Sequence, residues 1–316
     1  MLILNRTSNP PAEARKSAIA IGNFDGVHRG HRVLLDTARS VARAKAVPSA
    51  AMLFEPHPRE LFQPDKPHFR LTPLPRKLTL LAAQGLDVAV VIAFDRSFAS
   101  LSAEAFIAEV LVRDLAVSHV VVGYDFQFGK GRTGTPALLK DAGARMGFGV
   151  SVVEPVGVAG QVYSSSAIRA CLAKGDVRRA GGMLGHWWRV AGTVVGGAKR
   201  GTGLGFPTAN LALPDGVELG YGIFAVRVWL DGQCHLAAAY NGTRPTFDNG
   251  KPVLEVFLLD FDGNLYGREI EVEFVDFIRE DRKFDSMDAI KAQMAADCDV
   301  ARQVLAAAPP APGSGE

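Results

Sequence analysis

The sequence predicts two unlike domains: an α/β domain on a parallel sheet, followed by a small antiparallel β domain that carries a terminal helix. Three observations support this. From Ser17 to about Ala173, short β-branched or small apolar runs alternate with helical patterns, the way parallel strands covered on both faces read. After Gly181 and Gly182 the rhythm changes to strand patterns separated by turn clusters, as in a small antiparallel barrel or sandwich. The chain has 316 residues, 48% hydrophobic and 22% charged, enough for two cores at roughly 100 to 200 residues per domain.

The strands of the first domain are expected at 17–22 (SAIAIG), 49–54 (SAAMLF), 88–94 (VAVVIAF), 119–122 (HVVV) and 149–153 (GVSVV). A helix follows the first strand, with Val33, Leu34, Thr37, Ala38, Val41 and Ala42 on one face. Another starts at an N-cap, Ser102, and runs through Phe106, Ile107 and Val110. In the second domain VAGTVVG, IFAVRVWL, HLAAAY, VLEVFLLDF and EIEVEFVDF read as strands, with turns such as Pro214-Asp215-Gly216 and Asp262-Gly263-Asn264. The last helix is capped near Asp285 or Ser286, and Met287, Ile290, Met294, Cys298, Ala301 and Leu305 recur at spacings of three and four. The predicted domains are 1–184 and 185–308, with no internal repeat. Residues 309–316 are Pro, Gly, Ala, Ser and one Glu, and read as a disordered tail.

Charge and cysteine usage narrow the function classes. Lys and Arg number 35 against 33 Asp and Glu, a net +2, far from the basic excess of a protein that coats nucleic acid. Cys171, Cys234 and Cys298 are far apart with no CxxC pair, which argues against a disulfide framework or a structural zinc site. The longest apolar run, Val88 to Phe94, is too short to cross a bilayer. A soluble protein of a reducing cytoplasm is expected, with no membrane or nucleic-acid partner.

Chemistry concentrates where strands of the first domain end. Gly22-Asn23-Phe24-Asp25-Gly26-Val27-His28-Arg29-Gly30-His31 joins the first strand to the first helix, where open parallel sheets bind ligands. His28 and His31 share one face of the helix start, beside unpaired backbone N–H groups and the positive end of the dipole. That combination suits an anion; two-thirds of a metal site and a helix-capping surface pair are the alternatives. Phe54-Glu55-Pro56-His57-Pro58 follows the second strand, its prolines stiffening the loop that presents His57. Gly123 to Arg132 follows the fourth and mixes aromatics, glycines and cations, which suits an aromatic ring bearing phosphates. Ser164-Ser165-Ser166-Ala167-Ile168-Arg169 opens a helix after the fifth and reads either as a second phosphate cradle or as an ordinary serine cap.

A second constellation lies in the β domain. Five glycines (196, 197, 201, 203 and 205) surround Lys199 and Arg200 before Phe206-Pro207-Thr208-Ala209-Asn210. Such a loop can bring bare N–H groups to a polyphosphate, or be a flexible hairpin; no GKS or GKT closes it as a Walker A motif. Thr208 and Asn210 project from one side of an extended segment and offer the hard oxygen ligands Mg²⁺ prefers. Glu255 is the one carboxylate within the run Val253 to Leu259, costly there unless it works or is paired.

HxGH after a strand and a Gly-rich turn resembles the nucleotidyltransferase superfamily that includes class I aminoacyl-tRNA synthetases. From Ser17 to Arg302 the chain resembles the bifunctional riboflavin kinase/FAD synthetase family of bacteria. GNFDGVHxGH stands at 22–31, FxPHP at 54–58, GxDFxFG at 123–129 and an SSTxIR-like stretch at 164–169, with Ser166 where the family has Thr. GFPTAN follows at 205–210, RPTF at 244–247, LEV at 254–256 and LYG at 265–267, with a helix after Lys283 to Ser286. The chain departs from the family pattern at Gly222-Ile223-Phe224, Tyr240-Asn241-Gly242 and Phe257.

The resemblance implies a Rossmann-like nucleotidyltransferase domain and a β-barrel riboflavin kinase domain. It implies two successive ATP reactions with Mg²⁺: riboflavin to FMN in the barrel, then FMN to FAD and pyrophosphate in the first domain. His28 and His31 would meet the ATP phosphates, with Gly22, Asn23, Phe24, Gly30, Ser164, Ser165 and Arg169 around them. His57, Asp125, Phe126 and Arg132 take the flavin side. In the kinase, Gly197, Gly203 and Gly205 would cradle phosphates, Thr208 and Asn210 would hold Mg²⁺, and Glu255 would be the general base. The alternative is an FMN adenylyltransferase whose barrel senses flavin with weak catalysis; intact Thr208, Asn210 and Glu255 speak against it. An RNA-directed enzyme is a further alternative, against which the balanced charge weighs.

Overall fold

The computed structural model describes residues 1–5, 10–158, 160–195, 208–243 and 252–310. The chain divides into two compact units, Met1–Ser164 and Ser165–Glu316.

The first unit is a six-stranded parallel sheet with the order β1-β4-β3-β2-β5-β6. Its main strands are β1 (Leu2–Leu4), β2 (Ala18–Ile21), β3 (Ser49–Glu55), β4 (Val88–Ala93), β5 (His119–Gly123) and β6 (Gly149–Val153). Five match the sequence reading. The sixth, β1, pairs Leu2 with Val88 and Leu4 with Val90; three residues at a terminus are too few to show a period. The helices are α1 (Arg29–Lys45), α2 (Pro58–Phe62), α3 (Leu74–Ala83), α4 (Arg96–Ala99), α5 (Ala103–Ala105) and α6 (Pro136–Met146). Ser102 caps α5 by accepting from the amide of Ala105 at 3.1 Å, and the chain continues as a π-helical stretch, Phe106–Asp114. A short hairpin, β7 (Gly157–Val158) and β8 (Gln161–Val162), precedes the end of the unit.

Strand alternation sends side chains to opposite faces, and each face has its own core. Ile19, Ile21, Met52 and Val90 pack with Ile107, Leu111 and Leu139. Ala20, Leu53, Val91 and Val121 pack with Leu35 and Ala38 of α1 and Leu80 and Leu81 of α3. Val33, expected on the packed face of α1, is instead 37% exposed, and Leu35 is buried in its place.

The second unit opens with α7 (Ser165–Ala173) and α8 (Val177–Leu184). It continues as a closed antiparallel barrel with the order β10-β13-β12-β11-β14-β9. Its strands are β9 (Trp188–Val195), β10 (Ala209–Ala212), β11 (Gly222–Leu230), β12 (Gln233–Thr243), β13 (Pro252–Leu258) and β14 (Glu269–Arg279). Trp188, Phe224, Leu254, Val256 and Phe274 are wholly buried within it. Helix α9 (Met287–Ala307) is capped by Ser286, which accepts from the amide of Ala289 at 3.1 Å. It lays Cys298, Ala301 and Leu305 against Ala225, Ala238 and Val275.

Two features differ from the sequence reading. Residues 165–184 fall with the barrel, because Val177, Ala180, Met183 and Leu184 are buried where α8 packs along β14 and β9. The expected tail starts as an anchored segment: the carbonyl of Pro309 accepts from Trp187 Nε1 at 3.1 Å, and that of Ala308 from Arg227 at 2.9 Å. Residues 311–316 lie outside the described residues.

Candidate active sites

In the first unit β2 lies between β3 and β5, all parallel, so the segments leaving these three strands emerge at one edge of the sheet. The strand order reverses there, the switch point at which α/β sheets hold ligands. The turn from β2 to α1 is tightly bent: Phe24, Gly26 and Val27 all have positive φ, of 48°, 87° and 42°. Asp25 holds it. Its carboxylate, 3% exposed, accepts from the amides of Leu71 and Thr72 at 3.1 and 3.0 Å, and the Thr72 hydroxyl accepts from the Gly26 amide at 2.9 Å.

The turn delivers His28 as the N-cap of α1, its Nδ1 accepting from the amide of His31 at 3.2 Å. An accepting Nδ1 leaves the ring proton on Nε2. The His28 and His31 rings are stacked with centroids 3.6 Å apart, and Phe24 meets His31 edge-on at 5.3 Å. Burial pushes the His28 imidazole down to about 4, against the pull of Asp25. His31 is held well below the usual histidine range by burial first, then by His28 and Lys77. Both rings are therefore neutral donors at pH 7 rather than cations. The buried Nδ1 of His31 and Oδ1 of Asn23 have no hydrogen-bond partner among the described residues.

The glycines have separate tasks. A Cβ on Gly30 would stand 3.1 Å from the His28 ring and 3.2 Å from the Tyr163 carbonyl, so a side chain there would make these neighbours give by a few tenths of an ångström. A Cβ on Gly22 would touch the Phe24 ring at an ordinary 3.4 Å. Phe24, expected at the phosphates, buries its side chain completely and props His31.

The other predicted residues of this unit lie on the neighbouring segments. His57 caps α2, accepting from the amide of Arg59 at 3.2 Å, with the His68 ring 4.4 Å away. Arg70 bridges Glu55, at 2.5 Å, and Glu60. After β5, Asp125 and Arg132 are exposed while Phe126 stacks on Phe128 at 5.4 Å. Ser164 ends the first unit, and Ser165 and Arg169 lie in the first turns of α7 in the second. Among the described residues no three His, Cys, Asp or Glu side chains are grouped to hold a metal.

In the barrel, β10 and β13 place Asn210 directly opposite Glu255, and β12 places Tyr240 opposite it on the other side. Side chains at opposed positions share a face. Leu254 and Val256 are fully buried in the core, so Glu255 points to the outer face. Thr208 donates its hydroxyl to Glu255 Oε2 at 3.4 Å. Asn210 is 5% exposed, and its amide nitrogen lies 3.5 Å from the Thr208 carbonyl. The three residues chosen from the sequence thus meet. Gly197, Gly203 and Gly205, with Lys199, Arg200 and residues 244–247, lie outside the described residues. The sequence reading did not select the loop anchor Asp25; a carboxylate between two glycines of a turn was the available signal. Nor did it select Tyr240 as a neighbour of Glu255, which only strand register reveals.

Comparison with known proteins extends this geometry. The family described as FAD synthetase matches residues 10–167, and that described as riboflavin kinase matches residues 184–305. Together the two units define a transferase with a nucleotidyltransferase module and a kinase module. The bifunctional riboflavin kinase/FMN adenylyltransferase of Escherichia coli (strain K12) is 42% identical over 309 residues, 98% of each chain. The protein of the same name from Listeria monocytogenes is 35% identical over 283 residues, 88% of this chain and 89% of the relative. A crystal structure described as a macrolide-efflux protein from Streptococcus pneumoniae aligns with TM-score 0.85 at 30% identity, over 96% of this chain and 99% of its own. No described helix of the present chain is long and apolar enough to cross a membrane. The chain belongs to the bifunctional riboflavin kinase/FMN adenylyltransferase family.

Proposed function

We propose that the chain makes FAD from riboflavin in two ATP-dependent steps, the barrel acting as the riboflavin kinase and the parallel-sheet unit as the FMN adenylyltransferase. The observation that carries the assignment is the meeting of Thr208, Asn210 and Glu255 on one outer face of the barrel, with the stacked His28–His31 pair at the head of α1 in the other unit.

In the kinase step the terminal ribityl hydroxyl attacks the γ-phosphorus of ATP, the O–P bond to ADP breaks, and Glu255 takes the hydroxyl proton. A positioned carboxylate typically contributes about 10²- to 10⁴-fold as a general base. The donor set suits Mg²⁺: Thr208 gives its one proton to Glu255 and keeps oxygen lone pairs, and Asn210 brings a carbonyl oxygen. Thr208 and Asn210 would hold the ion, which would supply charge neutralisation at the phosphates.

In the adenylyl step an FMN phosphate oxygen attacks the α-phosphorus of ATP and pyrophosphate leaves. No protein nucleophile is needed. His28 and His31 offer neutral N–H donors to the phosphate oxygens as charge gathers on them, beside the amides of the α1 start. Gly22, Asn23 and Gly30 line the same turn, and Ser164 serves the same phosphates; Ser165 and Arg169, at the start of α7, are phosphate binders on the strength of the family resemblance. His57, Asp125, Phe126 and Arg132 take the flavin. This reading places the enzyme in the cytoplasm, working on free small molecules; its three free thiols support that. Purified protein incubated with riboflavin, ATP and Mg²⁺ is expected to yield FMN and then FAD on chromatography. FMN added directly should give FAD without the kinase step. A chain that forms neither product refutes the assignment.

A further inference from the structure

Lys77 is a buried cation that the two reactions above leave unused. It lies in the first turn of α3 and is 3% exposed. Among the described residues no hydrogen-bond acceptor meets its ammonium and no carboxylate stands within ion-pair distance. The charges that act on it are Asp25, Glu55 and Glu60, which attract, and Arg70, which repels. These carboxylates are engaged elsewhere. Asp25 accepts from Leu71 and Thr72, and Arg70 bridges Glu55 and Glu60.

The placement makes this burial costly. The turn before α1 is tied to the segment before α3 through Asp25 with Leu71 and Thr72, and through Gly26 with Thr72. Leu35 and Ala38 of α1 share one core with Leu80 and Leu81 of α3, so the two helices cover the same face of the sheet. Both run back from the edge where β2 and β3 end, and both point their positive ends toward it. A lysine between two helix N-termini, almost wholly buried and beside His31, sits where a cation is least welcome. Burial lowers its proton affinity, and its charge in turn lowers that of His31. An anion bound at the same edge would remove the penalty.

We propose that Lys77 binds the polyphosphate of ATP in the adenylyl-transfer site, its ammonium meeting phosphate oxygens between the starts of α1 and α3. This deepens the assignment of His28 and His31 and rests on it. Lys77 makes no covalent bond and consumes no proton: the new P–O bond forms to FMN, the bond to pyrophosphate breaks, and the ammonium offsets charge on the departing oxygens.

The test uses the full chain with Lys77→Met, which keeps length and apolar stem, Lys77→Arg, which keeps charge, and His31→Asn. The readouts are FMN adenylylation, its inhibition by inorganic pyrophosphate, riboflavin phosphorylation, and the unfolding midpoint without ligand. Lys77→Met is expected to slow adenylylation by about 10²- to 10³-fold, the usual scale for one group that stabilises charge in the transition state. Pyrophosphate inhibition should weaken, kinase activity should hold, and the midpoint should stay or rise, because an unpaired buried cation has been removed. Lys77→Arg should recover part of the rate. Adenylylation within about twofold of the parent overturns the proposal. So does a lowered midpoint in Lys77→Met, which would make Lys77 a structural counter-charge to Asp25. A parental rate in His31→Asn overturns the site assignment itself and Lys77 with it, whereas a slow His31→Asn beside a normal Lys77→Met overturns Lys77 alone.

Discussion

Thr208 donates its hydroxyl to Oε2 of Glu255 across 47 residues of sequence, at 3.4 Å. Strand pairing places Asn210 beside the same carboxylate. The wall of the barrel therefore presents a carboxylate, a hydroxyl and a side-chain amide as one group, with Leu254 and Val256 locking the strand from inside.

Replacing Glu255 with Gln keeps its size and its hydrogen bond from Thr208 but removes the proton acceptor. Riboflavin phosphorylation is expected to fall by about 10²- to 10⁴-fold, with riboflavin affinity retained and FMN adenylylation unchanged. Separate assays from riboflavin and from FMN check this; kinase turnover within about twofold of the parent would remove Glu255 from the role of base.

The histidine pair makes the reciprocal prediction. His31→Ala should slow FAD formation from FMN by about 10²- to 10³-fold and spare the kinase. Gly30→Ala probes the same pair without replacing either ring, since the new Cβ would press on the His28 ring at 3.1 Å. A misplacement of about 1 Å can cost roughly 10²-fold, so a shift of a few tenths should slow FAD formation by less than that, roughly 10-fold at most. An unaffected Gly30→Ala enzyme would show that the exact seat of His28 does not matter.

Acid should weaken the first unit through His28. Its folded-state value is about 4, below the ordinary 6.5, so between these values the unfolded chain binds a proton that the native state refuses. Stability is complete above pH 6.5, falls as pH drops, and levels off near pH 4, a loss of up to about 3 kcal/mol. His28→Asn keeps an N-cap acceptor and removes the titration. Urea midpoints from pH 7 to 4.5 should therefore slope less in the variant than in the parent; parallel slopes would contradict the burial argument.

Asp25 is expected to be a stability residue. Asp25→Ala strands the amides of Leu71 and Thr72, which it now satisfies, at about 1–3 kcal/mol for each buried group left unpaired. The unfolding midpoint of the first unit should drop, and adenylylation should fall because His28 and His31 lose their mounting. A variant with parental stability would mean that these amides find other acceptors.

Much of this was legible in the sequence because the signals were local. Five parallel strands announced themselves as short apolar runs, and Ser102 and Ser286 announced helix starts with caps that the structure contains. His28, His31, Thr208, Asn210 and Glu255 were visible as polar residues in patterns that otherwise favour apolar or glycine positions. What escaped was long-range. The partners of Asp25 lie 46 and 47 residues away, Tyr240 reaches Glu255 only through register, and Lys77 reads as one more cation on an amphipathic helix until burial is known. Val33 is exposed and Leu35 buried because the packed stripe, Leu35, Ala38 and Ala42, lies about one 100° residue step round the helix from the expected face, an offset a short apolar pattern does not resolve.

The packing of α8 along β14 and β9 bears on any attempt to separate the two activities by cutting the chain. A barrel begun at Gly185 would lose the helix that buries Val177, Ala180, Met183 and Leu184, baring an oily stripe on two strands and inviting self-association. The same helix left on the partner fragment would have no barrel to lie on. A cleavage point just after Ser164 leaves that stripe covered but takes Ser165 and Arg169 with the barrel, so the fragment that keeps the barrel's packing whole is a barrel with two leading helices.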